Sequence, residues 1–156
     1  MLNRIALPLV FLPSLLLRLD GVYVHTERPT IRPFSPGPYG AVIDTGASHS
    51  WVRPEIGELL PPHSLEGYVL DRGDGQDENL SVDVKSGFLK GLAGKPVTGW
   101  VQLDPRLPTI EILLLSGNFD VPGIDLLIGM DLMCSFIKCG VLVQGAQRPP
   151  TLAIEY

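Results

Sequence analysis

The stretch AVIDTGASHSWV, residues 41–52, holds the chain's clearest chemical potential. Ala41-Val42-Ile43 is a short apolar run that reads as a buried strand, and an acid, Asp44, follows it at once. Thr45 and Gly46 then turn the chain, and a glycine there lets the backbone approach closely. Backbone N–H groups in such a turn can point back at the Asp44 carboxylate, keeping it ionised and oriented. Thr45 and Ser48 add hydroxyls that can pin the loop around Ala47. A carboxylate held in this way suits acid–base work. An ordinary Asx-turn after a strand would explain Asp44 by itself. The full run is more specific: three apolar residues, then DTGAS, then Ser50 and Trp51.

Other chemistries fit less well. A phosphate-binding D-x-G-x-S turn of the actin and sugar-kinase type needs two α/β halves and far more chain than 156 residues. The histidines stand at 25, 49 and 63 and the cysteines at 134 and 139, with no CxxC and no HxxxH pair. No metal and no other cofactor is therefore expected. The acidic stretch DRGDGQDEN, 71–79, lacks the closing Glu and ligand spacing of an EF-hand and reads as a solvated hairpin loop. Cys134 and Cys139 read as two small buried hydrophobes rather than a disulfide, which suits a reducing compartment. A net charge of −5 disfavours binding to nucleic-acid phosphates.

The elements that must position Asp44 are extended. The chain has 17 glycines and 15 prolines, about a fifth of its residues against roughly 12% in an average domain. With 45% apolar residues and 19% charged ones, it has the makings of a folded core of short strands joined by turns. Residues 5–17 (IALPLVFLPSLLL) are too few to span a bilayer, and Pro8 and Pro13 break any helix through them. They read as one or two strands with the prolines at an edge or bulge. An N-terminal signal at residues 4–19 is the alternative, but no A-x-A cleavage site follows. Alternation around Gly21 suggests a strand pair within 15–31, and residues 32–39 a connector. Residues 53–67 hold one helical turn stopped by Pro61-Pro62. Strands follow at 80–85, 98–103, 109–115, 141–145 and 151–156, with a glycine-punctuated hairpin at 86–97 and an apolar run at 123–133. No internal repeat and no long helix is visible.

Three of these landmarks, in order, resemble the retropepsin-like aspartic proteases, single-domain relatives of retroviral protease. AVIDTGAS (41–48) is similar to their catalytic loop, and SGFLKGLAGKPV (86–97) to their flap. LLIGMDL (126–132) looks like the apolar-apolar-Gly segment behind that loop and the short helix after it. The resemblance covers roughly residues 39–140. It implies an all-β fold with one short helix, a small closed acid-protease barrel, acting as a homodimer. The protease domain would be residues 39–156, with residues 1–38 as N-terminal strands or an arm.

The resemblance also implies site roles. With one DTG in the chain, two Asp44 carboxylates, one per subunit, would share a proton across the dimer. Thr45 would bond to the opposite loop, and Gly46 would offer its N–H to the carboxylates. Ile128-Gly129 would lie under the loop, where only a small residue fits. Gly91, Leu92, Ala93 and Gly94 would form the flap tip over an extended peptide substrate. Trp51 and Trp100 read as core or pocket wall.

The chain departs from the family in three places. The retroviral Gly-Arg-Asn or Gly-Arg-Asp is Gly129-Met130-Asp131 here, so an Arg that brackets the dimer interface is missing. Residues 49–85 separate loop and flap, more than in the retroviral enzymes, with 71–79 as the insertion. Residues 1–38 have no retroviral counterpart. The expected activity is aspartic endopeptidase hydrolysis of peptide bonds. The alternative is an inactive dimeric peptide-binding or assembly module. Expected partners are a second copy and a peptide or protein substrate, with no nucleic acid and no membrane, in the cytoplasm.

Overall fold

In the computed structural model, residues 2–26, 34–63, 82–83, 93–119 and 121–156 are described. They form, in order, β1 (Arg4–Pro8), β2 (Val10–Phe11), a 3-10 turn (Pro13–Leu15), β3 (Leu17–His25), β4 (Tyr39–Ile43), β5 (Trp51–Val52) and the helical turn α1 (Pro54–Gly57). Then come β6 (Val82–Asp83), β7 (Ala93–Gln102), β8 (Ile110–Ser116), β9 (Leu126–Ile128), α2 (Met130–Met133), β10 (Lys138–Leu142) and β11 (Thr151–Glu155). The fold is mainly β, as the sequence implies, and its two four-residue helical turns lie within 53–67 and just after the LLIG segment, where they were expected.

Six strands close on themselves in the order β3-β4-β9-β5-β8-β7, and the β3–β7 pairing seals the ring. β2 and β6 extend the sheet beyond the ring. A second sheet, β1-β11-β10, lies over the barrel and sends Leu7, Leu152 and Ile154 into the larger apolar core with Leu19, Val24 and Val101. The N-terminal residues are therefore shared between both sheets: β1 pairs with β11, and β3 with β4 and β7.

β3 corrects one expectation. A strand pair around Gly21 was expected, and the structure has a single bent strand. The register with β4 slips between Leu19 and Val22, and Gly21 sits there with φ of +77°. One extra residue in the strand moves the buried set from Leu19 to Val22 and Val24, so the strand bends without reversing. Near the C-terminus, β10 runs over Lys138–Leu142, not 141–145, because its register with β11 ends at Leu142↔Thr151. The acidic stretch 71–79 lies outside the described residues.

α1 follows the expected pattern, with Pro54 opening it and the chain leaving the helix before Pro61. Its Gly57 is pressed against β8: an added Cβ would stand 2.4 Å from the Ser116 Cβ. Arg53, just ahead of α1, steers the approach to β9. Its guanidinium donates to the carbonyls of Ile124 and, at 2.9 Å, Val121, and lies 5.7 Å over the Phe119 ring. Among the described residues no helix is long and apolar enough to cross a membrane.

The cysteines correct another expectation. Both are free, but Cys134 is exposed at the end of α2 and only Cys139 is half-buried, against the core. Burial pushes the Cys139 thiol from 9.0 up to about 11, and the neighbouring Cys134 adds to the rise.

Two outcomes follow for stability. Gly57→Ala lowers unfolding free energy by about 1–3 kcal/mol through overpacking, and Ser116→Gly in the same chain restores most of it; urea melts of the single and double variants measure this. For Cys139, the folded pKa is raised, so its contribution is complete below pH 9 and is lost as pH climbs toward 11. Paired melts should show wild type losing stability relative to Cys139→Ala over that range, while iodoacetamide at lower pH labels Cys134 first.

Candidate active site

The Asp44 loop is built on β9. β4 enters parallel to β9, with Ala41↔Leu126, Val42↔Leu127 and Ile43↔Ile128 in register. β5 leaves antiparallel to the same strand, with Trp51↔Leu127 and Val52↔Leu126. The two legs of the loop are thus hydrogen-bonded to opposite edges of one strand. That strand is fully buried, which is why LLI and AVI read as unbroken apolar runs rather than alternating ones.

Residues 44–50 span the gap and are tied down along their length. Asp44 N–H continues the ladder to Ile128 O at 2.9 Å, and Ala47 N–H closes a turn on Asp44 O at 3.2 Å. Below them, Met130 N–H donates to Ala47 O at 2.8 Å and Asp131 N–H to Ser48 O at 3.3 Å. Gly129 lies against this span. A Cβ there would meet His49 O at 2.7 Å and Ala47 O at 2.8 Å, both backbone atoms that cannot swing aside. Only glycine lets β9 and α2 approach the loop so closely.

The strongest fastening joins Ser50 to Asp131. Ser50 is 1% exposed. Its N–H donates to Asp131 Oδ2 at 3.0 Å and its hydroxyl to Asp131 Oδ1 at 2.7 Å. The same hydroxyl accepts Gly129 N–H at 2.9 Å, and Asp131 Oδ1 also accepts Leu132 N–H at 2.8 Å. The Asp131 carboxylate gathers the exit of the loop from the first turn of α2. Neither residue was assigned a role from sequence. They stand 81 positions apart, and an Asp two places after a glycine carries no signal of its own.

The Asp44 side chain is half-buried, and Gly46 N–H donates to its Oδ1 at 2.9 Å. Thr45 and Gly46 are exposed at the loop's crest, Ala47 is half-buried, and the Ser48 hydroxyl is 3.1 Å from His49 Nδ1. The arrangement offers one firmly held carboxylate at the surface, able to take or give a proton. Among the described residues no three of His, Cys, Asp or Glu converge to hold a metal ion.

The flap expectation needs revision where it can be followed. Gly91 and Leu92 lie outside the described residues. Ala93 and Gly94 are ladder residues of β7, opposite Asp83 and Val82. Gly94 is buried, and a Cβ there would stand 2.8 Å from Leu115 Cβ and 3.0 Å from the Trp51 ring. Close packing, not a turn, explains that glycine, so residues 93–94 belong to the limb of a hairpin and not to its tip. Trp51 is core and Trp100 is half-buried in β7.

A similar solved structure is a retropepsin-like aspartic protease from Rickettsia conorii, 17% identical, with a TM-score of 0.52 over 100% of this chain and 93% of that one. At that identity the likeness concerns the fold. No protein-family model and no curated protein matches the chain.

Removing either fastening should loosen the loop. Asp131→Ala leaves the buried Ser50 donors unmet and is expected to cost about 2–4 kcal/mol. Gly129→Ala is expected to cost about 1–3 kcal/mol by forcing the loop off β9. Denaturant melts give the magnitudes, and hydrogen exchange at the Ala47 and Ser50 amides should accelerate in both variants. Unchanged exchange would show that the loop holds itself.

Proposed function

We propose that the chain is an aspartic endopeptidase whose site is completed by a second copy of itself. The observation that carries this reading is Asp44: a surface carboxylate held by Gly46 N–H, at the end of β4, in an acid-protease barrel. In the proposed dimer, two Asp44 side chains face each other and share one proton. Like charges at such range cannot both ionise readily, so the pair titrates as a unit. The ionised member takes a proton from a water lying between them. The water oxygen attacks the peptide carbonyl carbon while the protonated member donates a hydrogen bond to the carbonyl oxygen. The carboxyl that took the water's proton passes it to the amide nitrogen, the C–N bond breaks, and a carboxyl group and an amine leave, with the pair back to one shared proton.

The peptide is proposed to bind extended, hydrogen-bonding as an added strand with alternate side chains in pockets.

Asp44→Asn tests the reading. The variant should keep its fold and its oligomeric state, and cleavage of a denatured protein substrate should fall by about 10³-fold or more. Wild type should show a bell-shaped pH–rate profile from the shared proton. Cleavage surviving in Asp44→Asn sinks the proposal, and a dimer that binds peptides without turnover at any pH would identify a binding module instead.

A further inference from the structure

Two exposed apolar side chains flank the Asp44 loop, each carried by an element fixed to it. The register Leu17↔Ile43 sets the tip of the β2–β3 hairpin, Leu12–Leu16, alongside Asp44. The tip is a built turn: Leu12 N–H donates to Leu16 O at 2.7 Å and Leu15 N–H to Leu12 O at 3.1 Å. Leu12 and Leu16 pack against the same apolar cluster as Ala47 of the loop. Leu15 stands clear of it, 80% exposed, with φ of +61°. A leucine in the left-handed region is strained because its Cβ crowds the backbone, and glycine would occupy the position without that cost. Strain of this kind marks segments kept for something other than stability. On the other flank, Met130 is bonded to Ala47 through its N–H yet keeps 38% of its surface exposed, while Leu132 and Met133 of the same turn are buried.

We propose that Leu15 and Met130 are an apolar bracket against which a second copy of this chain docks. The inference rests on the two-carboxylate reading of Asp44. The occupant follows from that geometry. Among the described residues, the other carboxylate bonded into the loop, Asp131, is committed to Ser50 and Leu132 N–H, which leaves the place of the second acid to another copy of the chain. If Asp44 meets its own copy across a two-fold axis, exposed groups on elements fixed to the Asp44 loop lie close to that axis and within reach of the partner. Leu15 and Met130 are exposed apolar groups in that position, as is Phe11 beside Leu17, and burial there removes them from water. An apolar bracket also predicts that the dimer is not weakened by molar salt, as an ionic one would be.

Sedimentation velocity on wild type, Leu15→Gly, Met130→Gln and the distant control Val143→Thr tests this. Leu15→Gly relieves the strained backbone, so its thermal midpoint should hold or rise, which separates docking from folding. Each bracket variant should raise the dimer dissociation constant by about tenfold or more, with the control within about twofold. Peptidase activity should return when protein concentration is raised to match. A dimeric, active wild type whose bracket variants keep its dissociation constant overturns this inference and leaves the peptidase reading intact. A raised KM in an unweakened Leu15→Gly dimer likewise overturns it, by assigning Leu15 to substrate. A wild type that is monomeric and inactive overturns both readings.

Discussion

Everything at the site depends on β9 being wedged between the two legs of the Asp44 loop. Without it, β4 and β5 would be neighbours and residues 44–50 a slack connection. With it, the legs stand two strand spacings apart and the loop must bridge them. The cost of that span is met by groups that would otherwise be orphaned. Ala47 O and Ser48 O accept the first N–H groups of α2, which a helix start leaves free in any case. Ser50 and Asp131 close the far side, and each polar atom there meets a donor or acceptor. A buried hydroxyl such as that of Ser50 is tolerable only when satisfied in this way. The bond from that buried hydroxyl to the half-buried Asp131 carboxylate therefore fixes where the loop can lie.

The rest of the barrel is a frame for that wedge. β9 is three residues long and holds no position by itself. Its approach is set from one side by Arg53, whose guanidinium gathers the Val121 and Ile124 carbonyls, and by Asp125, whose carboxylate accepts Gly40 N–H at 3.2 Å. From the other side, β3 backs β4 and closes the ring onto β7. Residues ahead of the DTG motif are thus needed to hold it, even though none carries chemistry in the proposed reaction.

The loop and its backing strand were legible from the sequence for a physical reason. A strand buried on both faces must be apolar throughout, so AVI and LLI carry their environments in their composition, whereas the place of Gly129 under the loop came with the family resemblance. The barrel was harder to read. At Gly21 the buried positions change parity across a bulge, which imitates a turn between two strands. Gly94 illustrates the opposite ambiguity: glycine serves both tight turns and close contacts, and here it makes room for Trp51 and Leu115. The Ser50–Asp131 fastening left no trace, because side chains so distant in sequence meet only once β5 and α2 are both seated on β9.

One asymmetry in the loop bears on how the proposed chemistry would be switched on. Its inner side is rigid: Ala47, Ser48 and Ser50 are all bonded to β9, α2 or residues beside them. Its crest is not enclosed, with Thr45 and Gly46 exposed and Asp44 only half-buried. In a single chain, water still screens the Asp44 charge. Docking a second crest against the first would change that without moving the loop. It would exclude water, bring a like charge into range and so separate the two protonation steps. The fold prepays the positioning and leaves the electrostatics to assembly, so the acid–base power proposed for Asp44 belongs to the encounter of two chains and not to either one.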